Sequence, residues 1–211
     1  MGGGNFPLIR FNGFNGEWMM LKIGEIGYTY SSLTGKGKND FGQGNAQFIT
    51  FMNVLTNTHI DPTTFQKVVV NEGEMQNPVC KGDLLFNTSS ETPEEVGMCS
   101  VLDHDIPNLY LNSFCFGYRL TEERVLPSYV VYLMRSTIGR QMMTLLAQGA
   151  TRYNLPKREF YKAEIPVPPT IEEQKRIASF FRSLDTKISL QTQRIEKLKQ
   201  MKAACLSKMI A

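Results

Sequence analysis

The longest regular pattern of apolar and polar positions lies at the C-terminal end of the chain. Residues 170–211 contain neither Gly nor Pro, and a proline cluster directly precedes them. Steps of four and three residues select ten positions, of which eight are apolar: Ile177, Phe181, Leu184, Ile188, Gln191, Ile195, Leu198, Lys202, Cys205 and Met209. Such spacing is typical of a coiled-coil helix. It predicts one helix of about 40 residues, roughly 60 Å long, with Thr170 and Glu173 forming a capping box at its start.

The apolar seam of this helix has two possible partners. It could fold back onto the preceding domain, or it could pair with a helix of a second copy or of another protein. A length of roughly 60 Å favours a partner helix, because one small domain does not cover it. The predicted dimer interface consists of Ile177, Phe181, Leu184, Ile188, Ile195, Leu198 and Cys205. Gln191 and Lys202 interrupt the seam, and polar residues at such positions commonly fix register and partner number.

Short β-branched and aromatic runs precede the helix and predict strands. They cover residues 48–53, 67–70, 83–88, 96–102 and 110–120. Helical spacing over 126–147, with Gly139 inside it, allows two helices. Phe114, Phe116 and Tyr118 share one parity, which favours core positions. We therefore expect an α+β protein, in which a mixed β-sheet domain with helices is followed by one long C-terminal coiled-coil helix.

The predicted domain boundaries follow these patterns. Residues 1–17 form an extended lead-in, 18–169 a globular domain, and 170–211 the long helix. The chain is 42% hydrophobic and 20% charged, which is ordinary for a soluble protein. A run of 18 apolar residues and the apolar core of a signal peptide are both missing, so we expect a cytoplasmic protein without membrane contact.

Cysteines and histidines give no sign of a metal site. The cysteines lack CxxC spacing, and we expect all four to be reduced and buried: Cys80, Cys99, Cys115 and Cys205. His59 and His104 are isolated in the sequence, and we expect both in surface loops.

Charge is divided unevenly along the chain. Residues 171–211 hold nine basic and four acidic side chains, a net charge of +5, whereas the other 170 residues hold 14 basic and 16 acidic side chains, a net charge of −2. A slightly acidic domain can bind nucleic acid only through local patches.

The first candidate patch is the glycine-rich stretch 31–45. Lys36, Lys38 and Asn39 lie among its four glycines, which let the backbone and the ammonium groups approach a phosphate. The GxxxxGK[ST] pattern of a P-loop is missing. A solvated flexible loop without a ligand is an equally good interpretation.

The second candidate patch precedes a predicted helical turn. Thr92 is a suitable N-cap, and Glu95 completes a capping box. We expect Ser89, Ser90 and Glu91, just ahead of that turn, to be exposed and able to hydrogen-bond base edges. The alternative is that this segment only builds the turn.

The third candidate patch lies within residues 148–169, where basic and aromatic residues alternate. Arg152, Tyr153, Asn154 and Lys157 suit phosphate and base contacts, and Asn154 is a suitable cap for a short helix. A solvated basic loop is the alternative here.

Motifs of catalysis are missing from the sequence. We find no GxSxG, HExxH or Walker A pattern, no paired-cysteine zinc pattern and no S-adenosylmethionine motif. We therefore expect no catalytic residue, no metal and no cofactor in this chain.

Several stretches resemble one half of the specificity subunit of type I restriction–modification enzymes. They cover residues 7–18, 48–54, 87–98, 109–120, 145–155 and 164–185. The last is the most specific, since IPVPPTIEEQKRI (165–177) followed by a long helix is similar to the family's signature after each target-recognition domain.

This resemblance implies a non-catalytic subunit that binds double-stranded DNA. In the family, two target-recognition domains each read half of a bipartite sequence, and two long helices pair antiparallel and dock methyltransferase subunits. The resemblance also implies that S-adenosylmethionine, ATP and Mg²⁺ belong to partner modification and restriction subunits.

One departure from the family pattern matters for function. A full subunit has two domains and two helices, whereas this chain has one of each, as a half-subunit or as a fragment. Either case predicts a homodimer that reads an interrupted palindrome. The alternative function is a regulatory or decoy protein that binds modification subunits through its coiled coil and never binds DNA. An intrinsic methyltransferase is disfavoured by the missing cofactor motif.

Overall fold

The computed structural model describes residues 7–210, so the expectations for residues 1–6 and 211 lie outside the described residues. The strands are β1 Met19–Lys22, β2 Gly27–Ser31, β3 Phe41–Ile49, β4 Gln66–Val68, β5 Leu84–Asn87, β6 Ser89–Ser90, β7 Cys99–Val101, β8 Leu109–Leu111, β9 Cys115–Leu120, β10 Tyr153–Asn154 and β11 Glu164–Val167. The helices are α1 Ile23–Ile26, α2 Phe51–Thr56, α3 Pro127–Arg135, α4 Thr137–Leu146, α5 Lys157–Lys162 and α6 Ile171–Met209. The predicted α+β class with a long C-terminal helix is confirmed.

Four small sheets build the domain. The largest has the antiparallel order β2-β9-β5-β7, and a mixed sheet has the order β4-β3-β8 with β3 and β8 parallel. The pair β6 and β10 is antiparallel. In the remaining pair, β1 runs antiparallel to β11, with Met19 opposite Val167. This pair brings the beginning and the end of the domain together beside the start of α6.

Aromatic side chains form the centre of the core. Phe86 and Phe116 stack with ring centres 5.3 Å apart, and Phe160 packs edge-on against both rings and against Tyr118. The core prediction is therefore confirmed for Phe116 and Tyr118. It is wrong for Phe114, which is 54% exposed because it lies in the turn before β9.

Local hydrogen bonds explain where the predicted elements differ from the observed ones. The strand predicted over 48–53 stops at Ile49 because the Thr50 hydroxyl accepts the backbone N–H of Asn53 (3.3 Å) and begins α2. The predicted break within 126–147 is confirmed, but it falls at Ser136, whose hydroxyl accepts the N–H of Gly139 (3.3 Å) and caps α4.

The start of α6 is tied to the domain through Glu173. The Thr170 hydroxyl accepts the N–H of Glu173 (3.3 Å), which confirms the predicted N-cap. The other half of the capping box is replaced, because the Glu173 carboxylate binds Arg10 through two bonds of 2.7 Å and Trp18 Nε1 at 3.3 Å. Glu173 is 1% exposed. The carboxylate raises the pKa of Arg10, chiefly through hydrogen bonding.

Gln174 makes a second buried connection beside Glu173. Its amide donates to the carbonyls of Arg124 (2.8 Å) and Pro168 (3.2 Å), and its oxygen accepts the N–H of Leu126 (2.8 Å). Two consecutive residues of α6 therefore hold the lead-in, the segment before α3 and the end of β11.

Only the first part of α6 packs on the domain. Ile177 contacts the core, and Phe181 stacks on Tyr132 with ring centres 5.4 Å apart. Asp185 accepts the Tyr132 hydroxyl (2.7 Å), whereas every residue in 186–210 is exposed. The first four turns of α6 therefore fold back onto the domain. The apolar seam of the remaining turns is not covered by any other part of residues 7–210.

Histidine and cysteine positions are predicted only in part. The expected surface position is confirmed for His104 but wrong for His59, whose ring nitrogens bond Asp103 (2.6 Å) and the Tyr132 hydroxyl (3.0 Å). The loop after α2 lies against α3, which places His59 there.

Two of the four cysteines are buried as expected, Cys99 and Cys115, and burial raises the pKa of Cys115 to about 12. The other two, Cys80 and Cys205, are exposed, contrary to expectation. Among residues 7–210, no helix is apolar over a length sufficient to span a bilayer.

We expect Glu173→Ala to lower the free energy of unfolding by about 2–3 kcal/mol, because it removes charge-assisted bonds in a buried position. Urea unfolding followed by the fluorescence of Trp18, at one fixed protein concentration, measures this loss. The exposed neighbour Glu172→Ala is the matched control and should change stability by less than about 0.5 kcal/mol. Equal effects of the two variants would contradict the role of Glu173.

Candidate nucleic-acid interface

The structure brings together five of the ten predicted DNA contacts, four of them on two paired strands and one directly beside them. In the β6–β10 pair, Tyr153 lies opposite Ser90 and Asn154 lies opposite Ser89. Arg152, directly before β10, donates from Nε to the Ser89 hydroxyl (3.1 Å). The second and third sequence patches are therefore one surface, although about 60 residues separate them in the chain.

A tight hairpin presents this surface to solvent. Gln148 and Asn154 exchange both backbone hydrogen bonds (2.9 and 2.8 Å), so residues 149–152 form an exposed tip. Gly149 has a φ of +149°, and a Cβ there would lie 2.0 Å from the carbonyl oxygen of Arg152. Only glycine fits this position. Asn154 belongs to β10 and does not cap α5, which begins after Pro156.

The serines of this surface serve the turn that follows them. Ser89 and Ser90 are 6% and 9% exposed, so their expected exposure is wrong, whereas Glu91 is exposed as expected. The Ser90 hydroxyl donates to Glu95 (2.8 Å) and accepts the N–H of Thr92 (3.2 Å). The predicted capping box therefore does not form, because the Thr92 hydroxyl caps no backbone N–H and the Thr92 N–H bonds Ser90, not the Glu95 carboxylate.

Arg152 keeps its terminal nitrogens available. Its guanidinium lies 5.8 Å from the centre of the Phe114 ring. No acceptor within residues 7–210 bonds its Nη1 or Nη2. The cation and the aromatic ring border a shallow cleft lined by Phe48, Thr50, Met52, Gln66, Phe114 and Arg152. A cation, an exposed aromatic face and an amide together suit a phosphate beside a base.

Lys157 extends the basic side of the same surface. It is exposed, and its Nζ lies 5.8 Å from the centre of the buried Phe116 ring. Arg158, next to it, is also exposed. Lys157 begins α5 three residues after the end of β10, so it is a second exposed cation close to Arg152 in the sequence.

Lys36 is not a free cation. Its ammonium binds both carboxylate oxygens of Glu74 (2.5 and 2.6 Å), and its side chain is 5% exposed. The Lys36 ammonium, with the N–H of Asn71 and the amide of Gln76, lowers the pKa of Glu74 to about 2. Gln76 also exchanges two hydrogen bonds with the backbone of Thr34. The expectation of a free loop is therefore wrong for residues 34–36.

Lys38 and Asn39 lie at the opposite end of β3 from the Arg152 cleft. Both are exposed, in a short turn that directly precedes Phe41. Phe48, near the end of the same strand, lines the cleft. The mixed sheet therefore separates the first sequence patch from the other two.

A four-residue bulge in β3 was missed from the sequence. Phe41 and Ala46 both lie opposite Val68, so the Gly42–Asn45 segment projects from the sheet. Asn45 fixes the bulge by exchanging two hydrogen bonds with the backbone of Val70 (3.0 and 3.1 Å).

The tip of this bulge carries the exposed amide of Gln43. Its Nε2 donates to the carbonyl of Asn39 (3.1 Å), and the flanking Gly42 and Gly44 have φ of +83° and +114°. A glutamine side chain can form two hydrogen bonds with an adenine. The Gly-Gln-Gly-Asn sequence within a β pattern is the signal that predicts such a bulge.

Within residues 7–210, no three potential metal-binding side chains come together.

Comparisons with known proteins match both the domain and the long helix. The family model of the type I restriction modification DNA specificity domain matches residues 15–200. A protein named as a type I restriction enzyme MjaX specificity subunit, from Methanocaldococcus jannaschii, is 25% identical over 167 residues, which are 76% of this chain and 38% of that protein.

Two solved structures show the same fold. The S subunit of a type I restriction-modification system from M. genitalium has a TM-score of 0.63 at 15% identity, over 97% of this chain and 48% of that one. The HsdS subunit from Thermoanaerobacter tengcongensis has a TM-score of 0.56 at 16% identity, over 97% and 47%. The chain thus spans about half the length of these solved proteins. Because the family model covers most of its residues, the chain belongs to the type I restriction modification DNA specificity domain family.

Proposed function

We propose that this chain recognises a DNA sequence on behalf of a type I restriction–modification enzyme. The observation that carries the proposal is the family match over residues 15–200, which includes the recognition domain and most of α6. The domain, proposed as residues 18–169, reads one half-site. The chain carries out no catalysis itself and directs methyltransferase and restriction subunits, which supply S-adenosylmethionine, ATP and Mg²⁺ chemistry.

Exposed cations hold the DNA backbone in this proposal. The phosphate contacts are Lys38, Arg152 and Lys157, whose charged groups are exposed or lack a carboxylate partner within the described residues. Such contacts fix the position of the protein on the duplex and carry no sequence information. Lys36 is left out of this set because Glu74 already neutralises it.

Polar side chains beside these cations read the bases. The candidates are Asn39, Gln43, Glu91, Tyr153 and Asn154, all of them exposed or partly buried at loop tips and strand ends. Amide groups can bond adenine through two hydrogen bonds, and a carboxylate can accept from cytosine. Ser89 and Ser90 support this surface from beneath through the bonds with Arg152 and Glu95.

Two copies of the chain form the working unit. The exposed seam of α6 includes Leu184, Ile188, Ile195 and Leu198, which are 37–64% exposed. Exposed apolar side chains at heptad spacing favour a partner helix. The antiparallel orientation implied by the family resemblance places the recognition domains at opposite ends of the helix pair. A two-fold dimer then binds the same half-site twice, inverted across a gap.

A decoy protein is the second candidate function, and the same exposed seam favours it. In that case the seam sequesters modification subunits, and the slightly acidic domain never binds DNA. Sequencing methylated adenines in cells that express this chain with its modification subunit separates the two functions. The proposed function predicts methylation within one interrupted palindrome, whereas a decoy adds no methylated sequence, and a contiguous asymmetric site would contradict the dimer.

We expect Lys38→Ala to weaken DNA binding on every sequence and to reduce the slope of log K against log salt by about one unit, because one phosphate contact is lost. Binding titrations of the complex with modification subunits, at several salt concentrations, measure this. Lys36→Ala is the matched control, since its ammonium already binds Glu74, and it should keep the slope. A larger effect of Lys36→Ala would reverse the assignment.

We expect Gln43→Ala to change the methylated sequence at one position while methylation continues. Loss of a two-bond base contact relaxes discrimination there by about 1–3 kcal/mol. Sequencing of methylated adenines measures it, and Gln193→Ala, which removes an exposed amide from α6, should leave the sequence unchanged. An unaltered sequence with Gln43→Ala would remove this residue from the base contacts.

We expect the double variant Leu184→Glu and Ile195→Glu to be monomeric, because two carboxylates per chain enter an apolar seam. Light scattering after size-exclusion chromatography measures the mass. Leu190→Glu with Gln193→Glu adds the same charge on exposed positions of α6 outside the seam and should remain dimeric. A dimer that survives the seam variant would contradict the proposed interface.

A further inference from the structure

The exposed half of the seam has a pattern that is the same in both chain directions. From Leu184 to Met209 the seam positions are Leu184, Ile188, Gln191, Ile195, Leu198, Lys202, Cys205 and Met209. They follow the order apolar, apolar, polar, apolar, apolar, polar, apolar, apolar. All of these residues are exposed within the described chain. The midpoint of the pattern lies between Glu196 and Lys197.

We propose that this seam pairs antiparallel with a second copy of itself in one register, with the two-fold axis crossing α6 between Glu196 and Lys197. This inference rests on the proposed homodimer and specifies its geometry. In this register the layers are Leu184 with the partner's Met209, Ile188 with the partner's Cys205, Gln191 with the partner's Lys202, and Ile195 with the partner's Leu198.

The two polar positions select this register among the antiparallel ones. Here the ammonium of Lys202 meets the amide oxygen of the partner's Gln191, so both polar groups gain a hydrogen-bond partner in two symmetric layers. A shift by one heptad in either direction places Lys202 against the partner's Leu184 or Leu198. A charged group without a partner is then held against an apolar side chain, which is costly.

The same residues disfavour a parallel pair. In parallel two-stranded coils each seam position faces its own copy. Lys202 would then face Lys202, and two ammonium groups would repel each other inside the seam. The antiparallel orientation, which the family resemblance implied, therefore also follows from the order of side chains on α6.

The register uses the whole exposed part of the helix. Met209 reaches the layer of Leu184, directly beside the turn where Asp185 bonds Tyr132 and the domain contact begins. The overlap is 26 residues, or about 38 Å. On one flank Lys187 approaches the partner's Lys208, at exposed positions where salt screens the repulsion.

This register also sets the distance between the two recognition domains. Ala178, buried against the domain, lies 18.5 residues from the midpoint. The two domain anchors are therefore about 55 Å apart along the helix pair. That distance corresponds to about one and a half turns of the duplex.

Disulfide formation between copies tests the register. Ile188→Cys, in a chain that also carries Cys80→Ser, places a thiol opposite the partner's Cys205. A disulfide needs Cα atoms within about 7 Å, whereas a shift of one heptad moves the two residues about 10 Å apart along the helix. With oxidised glutathione as the oxidant, we expect most of the chain to migrate as a covalent dimer on a non-reducing gel.

Two further chains distinguish the outcomes. Ile195→Cys with Cys80→Ser forms a covalent dimer through Cys205 only if the pair is shifted by one heptad. Cys80→Ser alone does so through Cys205 only if the helices are parallel. A covalent dimer of either of these two chains would contradict the proposed register. So would an Ile188→Cys chain that is dimeric by light scattering but forms no disulfide. In each of these cases the homodimer itself stands. A monomeric mass for Cys80→Ser alone would instead overturn the proposed homodimer itself.

Discussion

The buried carboxylate of Glu173 is the interaction on which the arrangement of this protein depends. It takes two bonds from Arg10 and one from Trp18, so the lead-in, the first residues of the domain and the first turn of α6 meet at one group. Gln174 adds the segment before α3 through two more bonds and the carbonyl of Pro168 through a third. A buried charge held from several sides permits few other positions, and the helix therefore leaves the domain in one defined direction.

The division of α6 into two parts gives one helix two kinds of environment. Ile177 and Ala178 belong to the domain core, and the residues after Asp185 are in solvent. An amphipathic pattern that continues unchanged across this boundary explains why the sequence could not locate it. Heptad spacing records that a face is apolar but does not distinguish the domain's own surface from a second helix. The boundary is visible only once Tyr132 and Asp103 are placed beside the helix.

Features that depend on neighbouring residues could be predicted from the sequence, and features that depend on distant residues could not. The helix α6, its Thr170 cap and the break between α3 and α4 rest on groups within four residues of one another. The neutralisation of Lys36 requires Glu74, 38 residues away, and the bulge at Gln43 requires the pairing of Val68. The alternation of basic and aromatic residues identified Arg152 and Asn154 as candidate DNA contacts. Their position beside Ser89 could not be predicted, because it depends on how the domain folds.

The junction after Phe181 fixes the direction in which the exposed part of α6 leaves the domain. His59, Asp103 and Tyr132 meet Arg182 and Asp185 of α6 at this junction through short polar contacts. Burial raises the pKa of Asp103, but the hydrogen bond with His59 and the charge of Arg182 outweigh it and leave that pKa below its usual value. From there the free helix extends about 38 Å and acts as a lever arm. A tilt of about 10° at the junction would displace its tip by about 7 Å, or roughly two base-pair steps of the duplex. In the proposed homodimer, the stiffness of a few hydrogen bonds at the base of the arm is therefore amplified along it into the tolerance with which two half-sites can be spaced.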